Sequence, residues 1–119
     1  MKQQYLFIFR SGPYKCSRTS AGVDLMLTAA TFDQQVMAAF IEDGILLLLN
    51  NQDSSRIGLK NLSQAFPALE LYDIDRILVD NDDLARYQLE SDQLLIPVAG
   101  VSQTQLGVVM DKADQVFVF

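Results

Sequence analysis

The sequence predicts an α/β domain in three layers, a five-stranded parallel sheet with helices on both faces. Three observations carry that expectation. Five short segments are dense in aromatic and branched apolar residues, stretches with helical character separate them, and each segment is apolar throughout instead of alternating with polar residues. Unbroken apolar runs mark strands buried on both faces, and strands that alternate with helices mark a parallel sheet. At 119 residues, 50% of them hydrophobic and 20% charged, the chain fits one domain over 1–119 and does not have the composition of a disordered tail.

The elements follow in order. Tyr5-Leu6-Phe7-Ile8-Phe9 reads as the first strand. Thr19 and Ser20 are placed to cap a helix that carries Leu25, Met26, Ala29 and Ala30 on one side, with Asp24 near its positive end. The second strand runs from Gln35 to Ile41. A long connection follows, with a short helical turn from Gly44 to Leu49, a polar loop from Asn50 to Ser55, and a helix with Leu59, Leu62 and Phe66 on one face that Pro67 stops. Arg76-Ile77-Leu78-Val79 is the third strand, and Asn81-Asp82-Asp83 opens a helix through Leu84 and Tyr87. The fourth strand is Leu94-Leu95-Ile96-Pro97-Val98; Pro97 cannot donate to a ladder, so this strand is short or lies toward an edge. Ser102-Gln103-Thr104-Gln105 is a capping box before Leu106, Val109 and Met110. The fifth strand runs from Gln115 to Phe119, and with no helix after it apolar sheet surface is expected to remain for another subunit.

Composition excludes several chemistries. With no His there is no Ser–His–Asp triad, no Cys–His pair and no imidazole ligand within the chain. A single Cys, Cys16, excludes an internal disulfide and a thiolate zinc site. Fifteen acidic residues against nine Lys and Arg give a net charge of −6, and the scattered cations form no basic stripe, so direct nucleic-acid binding is not expected. The longest apolar runs, Val36 to Ile41 and Ile45 to Leu49, are far shorter than the ~20 residues of a membrane span. Met1-Lys2-Gln3-Gln4-Tyr5 leads straight into the first strand without a cleavage pattern, so a cytoplasmic protein without a signal peptide is expected.

In an open parallel sheet, ligands gather beyond the carboxyl ends of the strands. The loop from Arg10 to Gly22 places Ser11, Gly12, Ser17, Thr19 and Ser20 before a helix, as a phosphate cradle would, yet it matches neither nucleotide-binding glycine pattern and reads equally as a plain connection. Cys16 lies between Lys15 and Arg18, cations that lower a thiol pKa. A phosphatase loop would place Arg six residues after the Cys, where Gly22 stands, so the choice is between a sulfur-accepting thiol and an incidental one. Glu42 and Asp43 with Asp80, Asp82 and Asp83 form an acidic set without calcium-loop spacing; Asp82 and Asp83 read as first-turn residues favoured by the helix dipole. No metal or cofactor is expected.

These pieces together resemble the DsrE/DsrF-like sulfur-relay family. The resemblance spans the chain and rests on Tyr5 to Phe9 with Ser11-Gly12-Pro13, on Ala21-Gly22-Val23-Asp24, on Phe40-Ile41-Glu42-Asp43-Gly44, on Leu71-Tyr72-Asp73-Ile74 and on the closing Ala113 to Phe119. It implies strand order 4-3-2-1-5. It also implies a heterohexamer with TusB-like and TusD-like subunits, two copies of each, through which sulfur-donor and acceptor proteins are reached. In that family the TusD-like subunit carries a persulfide on a Cys just after the third strand; aligning Leu84-Ala85-Arg86 puts that position at about Val79 here. The resemblance therefore implies a non-catalytic structural subunit in tRNA wobble-uridine 2-thiolation, or the corresponding subunit in dissimilatory sulfur oxidation. Cys16 lies in a different loop and inherits no role from that motif; a sulfurtransferase using Cys16 is the alternative.

Overall fold

The computed structural model describes residues 3–10, 16–32, 34–48, 69, 71, 72, 74, 76–90, 94 and 96–119, and for residues 16–20 the backbone alone. The strands are β1 (Gln4–Phe9), β2 (Gln35–Phe40), β3 (Ile77–Asp80), β4 (Ala99–Val101) and β5 (Gln115–Val118). The helices are α1 (Cys16–Thr31), α2 (Asn81–Arg86) and α3 (Gln103–Lys112), with a 3₁₀ helix over Glu42–Leu48. All strand pairs are parallel, and the order is β4-β3-β2-β1-β5, as the resemblance implies.

Burial on both faces accounts for the apolar strands. Successive residues of a strand point to opposite faces, so β1 sends Phe7 and Phe9 one way and Leu6 and Ile8 the other, all four buried. On the first face they join Val36, Ala38, Phe40, Ile77 and Val79 beneath Val23 and Met26 of α1 and Ile45, Leu47 and Leu48 of the 3₁₀ helix. On the second face Leu6, Ile8, Met37, Ala39 and Leu78 lie beneath Leu106 and Val109 of α3.

An aromatic row crosses the first face. Phe9 stacks on Phe40 at 5.1 Å and on Phe119 at 5.7 Å, while Phe7 stacks on Phe117 at 4.9 Å. Such pairs add about 0.5–1.5 kcal/mol each beyond the area they bury. They join β2, β1 and β5, and α1 lies directly on them. A Cβ at Gly22 would stand 2.7 Å from the Phe119 ring and 2.9 Å from that of Phe9. Gly22 thus sets how closely α1 approaches the sheet.

The start of α1 differs from expectation. It begins at Cys16, so Thr19, Ser20 and Asp24 lie inside the helix and do not form its entrance. Packing decides the start, because Gly22 and Val23 are already buried and need helix before them. Hydroxyl residues sit within helices by bonding back to a carbonyl, as Thr28 does to Asp24 at 2.8 Å. Leu25 is exposed, while Val23 and Met26, three positions apart and so on one face of the helix, are buried in the core.

The fourth strand also moves. The run Leu94 to Val98 supplies buried Leu94 and Ile96, but the pairing with β3 is made by Ala99–Val101, past Pro97, whose missing N–H keeps it out of the ladder. The strand is both short and at an edge, as Pro97 implied. The capping box stands as read: Ser102 Oγ accepts from Gln105 N–H at 3.1 Å, and Gln105 Oε1 accepts from Ser102 N–H at 2.8 Å. The expected loop at Asn50 to Ser55 and the helix through Leu59, Leu62 and Phe66 lie outside the described residues.

At Gly22 two effects compete. Alanine gains about 1 kcal/mol of helix propensity, and overpacking a core costs about 1–3 kcal/mol. Because the contacted atoms are ring carbons of a stacked row, the clash wins. Gly22→Ala is expected to lower stability by about 1–2 kcal/mol in urea unfolding.

Candidate functional site

The carboxyl ends of β1, β2 and β3 bring together Arg10, Glu42, Asp43, Asp80, Asp83, Arg86 and Tyr87. The parallel register creates this cluster: Phe9 pairs with Phe40 and Phe40 with Val79, so the residues that follow each strand emerge side by side. A cleft of about 430 Å³ opens there, lined on its α3 side by Gln103, Leu106, Gly107 and Met110.

Asp80 ends β3 and caps α2. It is 5% exposed, and its Oδ1 accepts from the N–H of Asp82 at 2.8 Å and of Asp83 at 3.3 Å. Those are two of the donors a helix start leaves without a partner. Asp82 and Asp83 occupy the first turn, as the dipole reading expected.

Asp83 does more than follow the dipole. Its Oδ2 accepts the backbone N–H of Glu42 at 2.6 Å, and its Oδ1 pairs with Arg86 at 3.4 Å. Glu42 needs the support, because its φ of 51° lies in the left-handed region, which costs a side-chain-bearing residue about 1–2 kcal/mol. The turn is tight: Gly44 donates to the Ile41 carbonyl at 2.8 Å, and a Cβ on Gly44 would overlap the Phe9 carbonyl. Arg10 pairs with the Glu42 side chain at 3.1 Å with both side chains about half exposed, a geometry that contributes only about 0–1 kcal/mol.

Tyr87 donates its hydroxyl to Asp43, and the Arg86 guanidinium lies 4.8 Å from the Tyr87 ring centroid. The Asp43 carboxylate holds the phenol above its ordinary value of 10.0, first through that hydrogen bond, then through burial and charge repulsion, with Arg86 opposing.

The strand ends are thus tied together by hydrogen bonds and ion pairs. Asp80, Asp83, Asp43 and Glu42 are each engaged with a donor of this chain, and among the described residues no three acidic or Cys side chains gather as a metal site would require. The sequence placed Asp80, Asp82 and Asp83 correctly on strand and helix. It missed the links from Asp83 to Glu42 and from Tyr87 to Asp43, which span more than forty positions and have no local signature. Of the phosphate-cradle reading, Ser11 to Lys15 lie outside the described residues, while Ser17, Thr19 and Ser20 are helical. Cys16 is the first residue of α1, at the opposite end of the first connection from Arg10.

Replacing Asp80 by Ala is expected to cost about 1–2 kcal/mol in chemical unfolding, with Asn recovering most of it because its amide oxygen still caps. Asp43→Asn should lower the Tyr87 pKa toward 10.0, read by ultraviolet titration against Tyr87→Phe. A raised pKa means the fold favours the protonated phenol. The stabilisation is therefore complete below pH 10.0 and fades as pH rises through the raised value.

Comparison with known proteins places this geometry. A model of the DsrE/DsrF-like family matches residues 3–119. The chain is 32% identical over 113 residues to the TusC homolog of Aliivibrio fischeri, covering 95% of this chain and 96% of that one. With the TusC homolog of Vibrio vulnificus strain CMCP6 it shares 33% over 116 residues, 98% of each. It is 33% identical over 93 residues to the intracellular sulfur oxidation protein DsrF of Allochromatium vinosum, covering 78% of this chain and 68% of that one. The ychN protein of E. coli has the same fold along the whole of both chains, with a TM-score of 0.82 at 14% identity. On the match over 3–119 and the identities above 30%, the chain belongs to the DsrE/DsrF-like family.

Proposed function

We propose that this chain is a non-catalytic, TusC-like subunit of a cytoplasmic sulfur-relay complex, holding persulfide-carrying relatives in place for tRNA wobble-uridine 2-thiolation. The observation that carries the reading is the end-to-end likeness to TusC homologs. The strand-end chemistry supports it. The resemblance puts the family's persulfide position at about Val79, which is fully buried inside β3, and the next residue, Asp80, is a helix cap. Neither offers a thiolate, and sulfur exchange proceeds by thiolate attack.

A structural role also suits the surface. Val116 and Val118 are exposed beside buried Leu6 and Ile8 on the second face of the sheet, where β5 runs past the cover of α3. The complex would hold TusB-like and TusD-like subunits, two copies of each, with sulfur-donor and acceptor proteins reached through them. The net charge of −6 leaves tRNA contact to those partners. A second reading, a subunit of a sulfur-oxidation complex, draws on the likeness to the DsrF protein of Allochromatium vinosum.

Co-expression with a TusB-like and a TusD-like protein, followed by loading from a persulfide donor and intact-mass measurement, tests the proposal. The chain is expected to co-elute with both partners, and a gain of about 32 Da, one sulfur atom, is expected on the TusD-like subunit alone. A reducible adduct of that mass on Cys16, or a chain that elutes apart from both partners, would overturn it.

A further inference from the structure

Of the nine Lys and Arg residues, the described side chains are those of Arg10, Arg76, Arg86 and Lys112. Arg10 and Arg86 are ion-paired at the strand carboxyl ends. Arg76 and Lys112 form no ion pair with a described carboxylate, and both line a single cavity of about 280 Å³ at the opposite, amino end of the sheet. Among the described residues the remaining lining is Gln4, Met37, Val108 and Val109, none of which carries a carboxylate.

The fold creates this convergence. Arg76 directly precedes β3, and the register that pairs Ala38 with Ile77 sets it beside Met37. One guanidinium N–H donates to Met37 Sδ at 3.4 Å. A thioether is a weak acceptor, and a guanidinium has five donors, so the others have no described protein acceptor. Lys112 closes α3, where a cation complements the helix dipole. That dipole engages Lys112 but does nothing for Arg76. Asp114, an acidic side chain at this end, accepts from Gln4 N–H at 2.7 Å and is not among the lining residues. Arg76 also lines a neighbouring cavity of about 470 Å³ with Ile77, Pro97, Val98 and Ala99, which gives a ligand room to approach from the β4 edge.

We propose that the Arg76–Lys112 cavity binds a small doubly charged oxyanion of the phosphate or sulfate class. A planar guanidinium fork and an ammonium lining the same cavity match the oxygens of such an anion. In a chain of net charge −6, two cations sharing one cavity without a counter-charge among the described residues are a specific local feature and not part of a general basic surface. The volume exceeds that of a bare oxyanion, and Met37, Val108 and Val109 offer apolar wall to a small organic substituent. The inference is independent of the sulfur-relay reading.

A proton–nitrogen NMR titration of the full chain with inorganic phosphate, against sodium chloride at matched ionic strength, tests it. Saturable shifts are expected at amides 76–78 and 108–112. Binding should weaken about tenfold or more in Arg76→Gln and in Lys112→Gln, and much less in Lys112→Arg. Shifts no larger than those from chloride, or shifts unchanged in the Gln variants, would overturn the proposal. If Arg76→Gln does not fold, Lys112→Gln, at an exposed helix end, decides the matter alone.

Discussion

The burial of β1 on both faces is the constraint on which the rest of the molecule depends. Phe7 and Phe9 fill one face, Leu6 and Ile8 the other, and the strand pairs with β2 on one side and β5 on the other. Each of those side chains stabilises the fold by about 1.5–3 kcal/mol, and a one-residue slip would turn all of them to the wrong layer. The register this enforces sets Arg10, Ile41 and Asp80 at one end of the sheet and Gln4 and Arg76 at the other. Both clusters of polar groups are therefore consequences of apolar packing. The aromatic row ties the same strand to Phe40 and Phe119, and Gly22 lets α1 settle onto it.

The two ends of the sheet are chemically unlike. At the carboxyl end, where open parallel sheets hold their ligands, carboxylates are committed to backbone N–H groups, guanidinium groups and a phenol of the same chain. Asp80 caps a helix, and Asp83 supports the left-handed turn at Glu42. That arrangement rigidifies a surface and holds no free nucleophile among the described residues. At the amino end Arg76 and Lys112 have no such partner among the described residues. A subunit that positions relatives needs a rigid strand end more than a reactive one, which is how the proposed role and the geometry agree.

Much of this was legible in the sequence, and the failures have physical causes. Buried strands announce themselves as apolar runs, so Tyr5 to Phe9 and Gln35 to Phe40 were readable, and the capping box at Ser102 has a local signature. The start of α1 departs from the sequence expectation because Thr19 and Ser20 carry the chemistry of caps, while the helix begins about a turn earlier, at Cys16. At the fourth strand, Leu94 and Ile96 mark the core correctly, but the ladder forms at Ala99–Val101, beyond Pro97. In the site, Asp80 and Asp82 act within a few residues of themselves and could be read. The link from Asp83 to Glu42, the link from Tyr87 to Asp43, and the placing of Arg76 and Lys112 around one cavity depend on topology, which periodicity does not carry.

The central claim is that this chain supports sulfur transfer without accepting sulfur itself. The most direct measurement is the 2-thiouridine content of tRNA in a strain lacking the chain, complemented with wild type or with Cys16→Ser. The account predicts that 2-thiouridine is lost in the deletion strain and that both forms restore it equally. Loss of 2-thiouridine with Cys16→Ser, while that variant still co-elutes with its partners, would contradict the account and assign the chain a sulfur-accepting thiol.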